Sequence, residues 1–164
     1  MNMTLKLYKL FIDGSCNPQE KIGFGAYILI DDENHDLEYL KSKVILQRFE
    51  NTSSTKLEIQ TFLWALEDID IKEGVIKIFT DCQNIIGLPK RKEKLKSLNY
   101  HSSSGKKLNN SQLYKKFFEL TQKYNCEFIK VEGHKKNSLK NDIDNIFNIV
   151  DKASRSALRG DKTI

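Results

Sequence analysis

The 164-residue chain is poor in the residues that staple or interrupt a fold: three cysteines, two prolines, one tryptophan and eight glycines. Cys16, Cys82 and Cys126 are too few and too scattered for a disulfide scaffold or a C-x-x-C zinc site. Such sparse cysteine usage fits a reducing cytoplasm, which is the expected compartment. No apolar run approaches the about 20 residues that a membrane-spanning helix needs, so no membrane partner is expected. The start, Met1 to Lys9, has neither the long apolar stretch nor the small-residue cleavage site of a secretory signal. Internal repeats and low-complexity tracts are absent.

What is present suits one globular domain over residues 1–164. Hydrophobic residues make up 39% and charged residues 30%, an ordinary composition that argues against disorder. A chain of this length buries roughly 70% of its unfolded surface and needs no metal or disulfide to fold. The net charge is +5, but it is unevenly spread. Between Lys90 and Lys116 there are nine basic residues and one acid, Glu93, which leaves the rest of the chain net acidic. A basic stretch on an acidic body suggests a polyanionic partner. A solvated lysine-rich surface accounts for the charge equally well.

The pattern predicts strands over Leu5–Ile12, ending at the turn signal Asp13-Gly14-Ser15, over Ile22–Ile30, and over Leu37–Phe49. Asp31-Asp32-Glu33-Asn34 reads as a hairpin turn between the last two. Ser53-Ser54-Thr55 offers capping hydroxyls for a helix over Leu57–Ile69. Val75–Thr80 reads as a buried strand, with Asp81 placed to cap a short helix over Cys82–Leu88 that Pro89 ends. Asn110-Ser111 can cap a helix from Gln112 to Lys123. Cys126–Val131 reads as the last strand, His134–Asn141 as a polar loop and Asp142–Leu158 as a final helix. Three antiparallel strands followed by strands on helical crossovers give an α/β fold: a mixed five-stranded sheet with helices on both faces.

Four acids stand out by position. Asp13 and Asp81 close apolar strands, and strand ends are where open sheets bind ligands. Glu58 has Thr61, Phe62 and Ala65 as its helical neighbours, on the side that faces the sheet. Asp151 sits between Val150 and Ala153 in the apolar middle of the last helix. Four converging carboxylates repel one another unless a divalent cation joins them, and hard oxygen donors select magnesium or manganese. A turn residue, a cap or a surface acid would explain any one of them alone.

Together these residues resemble ribonuclease H type 1. The resemblance runs through Phe11-Ile12-Asp13-Gly14-Ser15-Cys16-Asn17-Pro18 with Gly23-Phe24-Gly25-Ala26, and through Thr55-Lys56-Leu57-Glu58-Ile59-Gln60. It continues through Thr80-Asp81-Cys82-Gln83, Val131-Glu132-Gly133-His134 and Asp151-Lys152-Ala153-Ser154-Arg155-Ser156-Ala157. It implies a ribonuclease H-like fold and an endonuclease that cuts the RNA strand of RNA–DNA hybrids, leaving 5′-phosphate and 3′-hydroxyl ends. It also implies that Asp13, Glu58, Asp81 and Asp151 hold two Mg2+ ions, with Mn2+ as a substitute, and that His134 moves a proton. Gly14, Ser15, Cys16, Asn17, Ser54, Thr55 and Gln83, with Lys90, Arg91, Lys92, Lys94 and Lys96, become the expected nucleic-acid contacts. Ser53-Ser54-Thr55 stands where the family has T-N-N, and the basic handle is expected to be reduced to a loop because Pro89 disfavours a helix there. Asp144, in the first turn of the last helix, is expected to serve the helix dipole while Asp151 serves the metal. Cys16 and Cys82 read as small packing groups. The alternative is a non-catalytic module that binds hybrid or double-stranded RNA. A monomer with no protein partner is expected.

Overall fold

The computed structural model describes residues 6–31, 36–132 and 141–161. Five strands form one sheet in the order β3-β2-β1-β4-β5. β1 (Leu7–Asn17) and β2 (Ile22–Ile30) form an antiparallel hairpin, β3 (Ile45–Glu50) pairs antiparallel with β2, and β4 (Val75–Thr80) and β5 (Asn125–Lys130) add in parallel. The mixed sheet is therefore the expected one.

The alternation of β1 decides what each face of the sheet carries. Leu10 and Ile12 turn to one side, with Tyr27, Ile76 and Ile78, and pack under α2 (Ser54–Asp68) and α5 (Ser111–Lys123) through Ile59, Phe62, Leu66 and Phe117. Phe11 turns to the other side, with Ala26, Ile28 and Phe79, and meets Phe147 and Val150 of α6 (Asp142–Arg159). Two cores on one sheet place helices on both faces. Among the described residues no helix is long and apolar enough to cross a membrane.

Three expectations are corrected. The first strand does not stop at Ile12: Asp13-Gly14-Ser15 lies inside β1, because each of these residues finds a ladder partner in Ala26, Gly25 and Phe24. The turn falls later, where the Asn17 side chain accepts the N–H groups of Gln19 and Glu20 at 3.1 and 3.2 Å. Secondly, Leu37 to Phe49 is not one strand. Asp36 caps a short helix, α1 (Leu37–Lys41), by accepting the Tyr39 N–H at 2.8 Å, and the buried Leu40 holds it on the α6 side of the sheet. The turn expected over residues 31–34 falls mostly outside the described residues.

Thirdly, the basic segment is not a bare loop. Cys82, not Asp81, caps α3 (Gln83–Gly87), and a 3-10 turn (Leu88–Arg91) leads directly into α4 (Lys92–Ser97). Pro89 sits in the first turn of that 3-10 segment, where its missing N–H leaves no hydrogen bond unmade. Leu88, Leu95 and Tyr100 are buried and fasten the segment to the body. Beyond it, His101 bridges to Lys107 in a small antiparallel turn.

Candidate active site

The parallel pairing of β1 and β4 runs to Phe11 opposite Phe79, whose rings stack with centroids 4.5 Å apart. Two residues beyond these partners come Asp13, still in β1, and Asp81, immediately after β4. The apolar stack thus fixes the strand ends, and the acids follow from it. Asp13 alternates to the same face as Phe11, the face that α6 covers.

Glu58 arrives from the opposite face on α2. The Ser53 hydroxyl accepts the Lys56 N–H at 3.2 Å and starts the helix. The helix then lies against the hairpin at a distance that glycine sets. A Cβ on Gly23 would stand 2.6 Å from Leu57 Cδ2, and one on Gly25 would stand 2.4 Å from Thr61 Oγ1. Leu57 and Thr61 flank Glu58, so the two glycines decide how closely Glu58 approaches the strand ends. Asp13, Glu58, Asp81, Thr61 and Cys82 line one small pocket.

Electrostatics confirms how crowded the place is. Burial, the charge of Asp81, and a hydrogen bond and charge from Asp151 push the Asp13 carboxyl up to about 9, against a backbone N–H of Gly14 that favours its anion. Burial raises Glu58 as well, with Asp81 adding to the shift and the Cys82 thiol opposing it. The Asp151 carboxylate also accepts from Arg155 at 2.5 Å, one helical turn away. The structure therefore brings all four acids named from the sequence into one neighbourhood. Asp144 has a different use. It closes a capping box with Asn141, each accepting the other's backbone N–H at 3.0 Å.

The donor set suits a divalent cation. It is made of hard carboxylate oxygens, and burial together with the neighbouring acids disfavours the bare anion of Asp13, a cost that a cation would offset. Among the described residues no three His, Cys, Asp or Glu side chains are yet set around a common point. Instead the carboxyls are held by protein partners: Asp13 by Asp151, Glu58 by Cys82 and Asp151 by Arg155.

The other named residues spread outward. Gly14, Ser15, Cys16 and Asn17 are half-buried in β1, while Ser54 and Thr55 are exposed in the first turn of α2. Gln83 is exposed at the start of α3, where its amide oxygen accepts from Lys130 Nζ at 2.8 Å. Lys90, Arg91, Lys94 and Lys96 are exposed and Lys92 is half-buried, along the 3-10 turn and α4. Arg91 bonds to Asn84 at 3.3 Å and lies over the Tyr114 ring. His134 lies outside the described residues. Cys82, Lys130 and Arg155 were not named as partners of the site from the sequence. Arg155 was accessible there as the residue four beyond Asp151 and Cys82 as the residue after Asp81, whereas the Cys82 contact with Glu58 and the Lys130 contact with Gln83 come only from the fold.

Comparison with known proteins settles what kind of protein has this arrangement. The ribonuclease H family model, described as "RNase H", matches residues 6–158. The chain belongs to the ribonuclease H family. A ribonuclease H of Clostridium botulinum is 29% identical over 150 residues, covering 88% of this chain and 95% of the relative. One of Caldicellulosiruptor saccharolyticus is 26% identical over 146 residues, covering 87% and 94%. A crystal structure of a type 1 RNase H with the type 2 active-site motif superposes with a TM-score of 0.70 at 13% identity, over 98% of this chain and 75% of that one. That likeness shows the fold. Family membership makes the protein an endoribonuclease acting on RNA–DNA hybrids, in a family that depends on divalent metal.

Proposed function

We propose that this ribonuclease H cuts hybrid RNA with Asp13, Glu58, Asp81 and Asp151 as the ligands of two Mg2+ ions, replaceable by Mn2+. The observation that carries the reading is that Asp13, Glu58 and Asp81 line one small pocket, with Asp151 against Asp13, since a half-buried acid among three others serves no packing purpose. Bound there, the two cations would supply an activated water and charge stabilisation for the departing 3′ oxygen, giving 5′-phosphate and 3′-hydroxyl ends.

The chain's own groups do the rest. The four carboxylates would hold the cations against which the phosphate is placed, and His134 moves a proton during attack or product release. The exposed Ser54 and Thr55 hydroxyls and the strand residues Gly14 to Asn17 face the backbone of the hybrid. The Gln83 amide, its oxygen already engaged by Lys130, offers its N–H groups to base edges in the wide minor groove. Lys90, Arg91, Lys92, Lys94 and Lys96 supply positive charge for phosphates. The protein acts as one domain over 1–164, as a monomer in the cytoplasm.

The test is cleavage of labelled RNA–DNA hybrid, duplex DNA and duplex RNA, each with magnesium or with EDTA. The expected result is magnesium-dependent cutting of the RNA strand of the hybrid alone. Tight binding of hybrid without cutting would instead establish a non-catalytic binding module.

A further inference from the structure

The sulfur of Cys82 makes two contacts that no packing role requires. It lies 2.7 Å from Glu58 Oε2, as the donor to that carboxylate, and 3.4 Å from the Ile85 backbone nitrogen, whose N–H it accepts. The residue is buried, with 4% of its surface exposed. It follows Asp81 directly, and its own backbone N–H donates to Thr80 Oγ1 at 3.1 Å. We propose that Cys82 is a positioning residue for the metal site: one sulfur atom both aims the Glu58 carboxylate and anchors the start of the helix behind Asp81. The proposal rests on Glu58 being a metal ligand.

The physical case begins with Glu58 itself. Its carboxylate ends a side chain with three rotatable bonds and stands near another acid, Asp81, that repels it. Left to repulsion and rotamer freedom, it would turn away from Asp81 and have to be brought back for each cation. The thiol holds one carboxylate oxygen and leaves the second for a cation. An S–H group is a weak donor, so the hold orients without competing strongly with a metal. Partners that orient a ligating side chain commonly govern metal affinity as much as geometry does. The other half of the contact ties that orientation to α3, because loosening the sulfur also frees the Ile85 N–H at the helix start.

The experiment is calorimetric titration of the protein with MgCl2 in the absence of nucleic acid. The variants are Cys82→Ala, Cys82→Gly, Cys82→Ser, Glu58→Gln and the double variant Cys82→Ala with Glu58→Gln. Glycine is a tolerated helix cap, so Cys82→Gly removes the donor while sparing the helix start, and it stands in for Cys82→Ala if that variant does not fold. Cys82→Ala and Cys82→Gly are expected to bind Mg2+ about tenfold more weakly, and Cys82→Ser to recover most of the loss through its hydroxyl. In the Glu58→Gln background, removing the thiol should cost nothing further. Unchanged Mg2+ affinity in the donor-less variants overturns the proposal, as does an equal loss in both backgrounds. Glu58→Gln binding Mg2+ like the parent would instead remove Glu58 from the ligand set, a failure of the underlying reading that is visible without any Cys82 variant.

Discussion

Asp13 of β1 and Asp151 of α6 are joined by a hydrogen bond between their carboxyl groups, across the face where the sheet meets its last helix. Burial first, then the charge of Asp81 and the Asp151 contact, favour the protonated form of Asp13. A divalent cation at the proposed site would take the anion instead, so its affinity should depend on pH.

The first prediction follows from the sign of that linkage. The Asp13 carboxyl is raised from its ordinary 3.8 to about 9, so above pH 4 the folded protein holds a proton that the unfolded chain has lost. The stabilisation from this group is complete below about pH 4 and is lost as pH rises towards 9. In EDTA, the melting temperature of Asp13→Asn should exceed that of the parent by a margin that grows between pH 5 and pH 9, while hybrid cleavage disappears. Calorimetric melts across that range check it. A variant that melts below the parent at every pH would make Asp13 a structural strand residue.

The second prediction concerns the glycine that sets the approach of α2. In Gly25→Ala the new Cβ would stand 2.4 Å from Thr61 Oγ1 and 2.9 Å from Thr61 Cγ2. Overpacking of this kind costs about 1–3 kcal/mol and pushes the helix outward, taking Glu58 with it. Urea unfolding should show the loss, and the magnesium concentration for half-maximal cleavage should rise. Adding Thr61→Ala removes the two nearest atoms and should restore part of both. A double variant no more stable than Gly25→Ala would place the strain elsewhere.

Much of this was legible in the sequence, and the reasons divide along physical lines. Strand β4 and helix α2 were readable because a short β-branched run and a capped 3.6-residue period are local signals. The four acids were readable because each breaks the apolar pattern around it. What failed was competition between local signals. Asp13-Gly14-Ser15 has turn composition, but ladder partners on β2 outweigh it. Leu37–Lys41 alternates like a strand, yet the cap from Asp36 and the buried Leu40 make it a helix. Pro89 breaks a helix interior but not a first turn, and the buried Leu95 and Tyr100 that fasten the basic segment are visible only once α5 is in place. The Cys82 to Glu58 contact spans 24 positions and carries no sequence period at all.

The third prediction tests the basic segment, which the fold presents as an ordered helix rather than a loose tail. Replacing Lys92, Lys94 and Lys96 with glutamine should weaken hybrid binding equally on unrelated sequences. It should also reduce the slope of log affinity against log salt by about one for each phosphate no longer neutralised. The loss should fall mainly on KM and only slightly on kcat. Binding isotherms at several salt concentrations decide it, and an unchanged slope would return these lysines to the solvated surface.

The fourth prediction separates the two acids of the last helix. Asp144 and Asp151 are seven residues apart, close to two turns, so both project on about the same side of α6, about 10.5 Å apart along its axis. Their partners differ. Asp144 accepts the Asn141 N–H and closes the box that starts the helix, whereas Asp151 meets Asp13 and Arg155 at the strand ends. Asparagine at 144 keeps a carbonyl oxygen for that N–H and loses the charge at the positive end of the helix. Asp144→Asn should therefore cost at most about 1 kcal/mol in stability and leave kcat nearly intact. Asp151→Asn removes a charge from the proposed cation site, and turnover should fall by orders of magnitude at saturating magnesium. In EDTA the same variant should melt no lower than the parent beyond the loss of its ion pair with Arg155, a partly exposed contact worth less than about 1 kcal/mol. Parallel measurement of kcat and of the unfolding midpoint for both variants gives the answer. The reverse pattern, with Asp144→Asn inactive and Asp151→Asn active, would move the fourth ligand to the start of the helix and make Asp151 a partner of Arg155 alone.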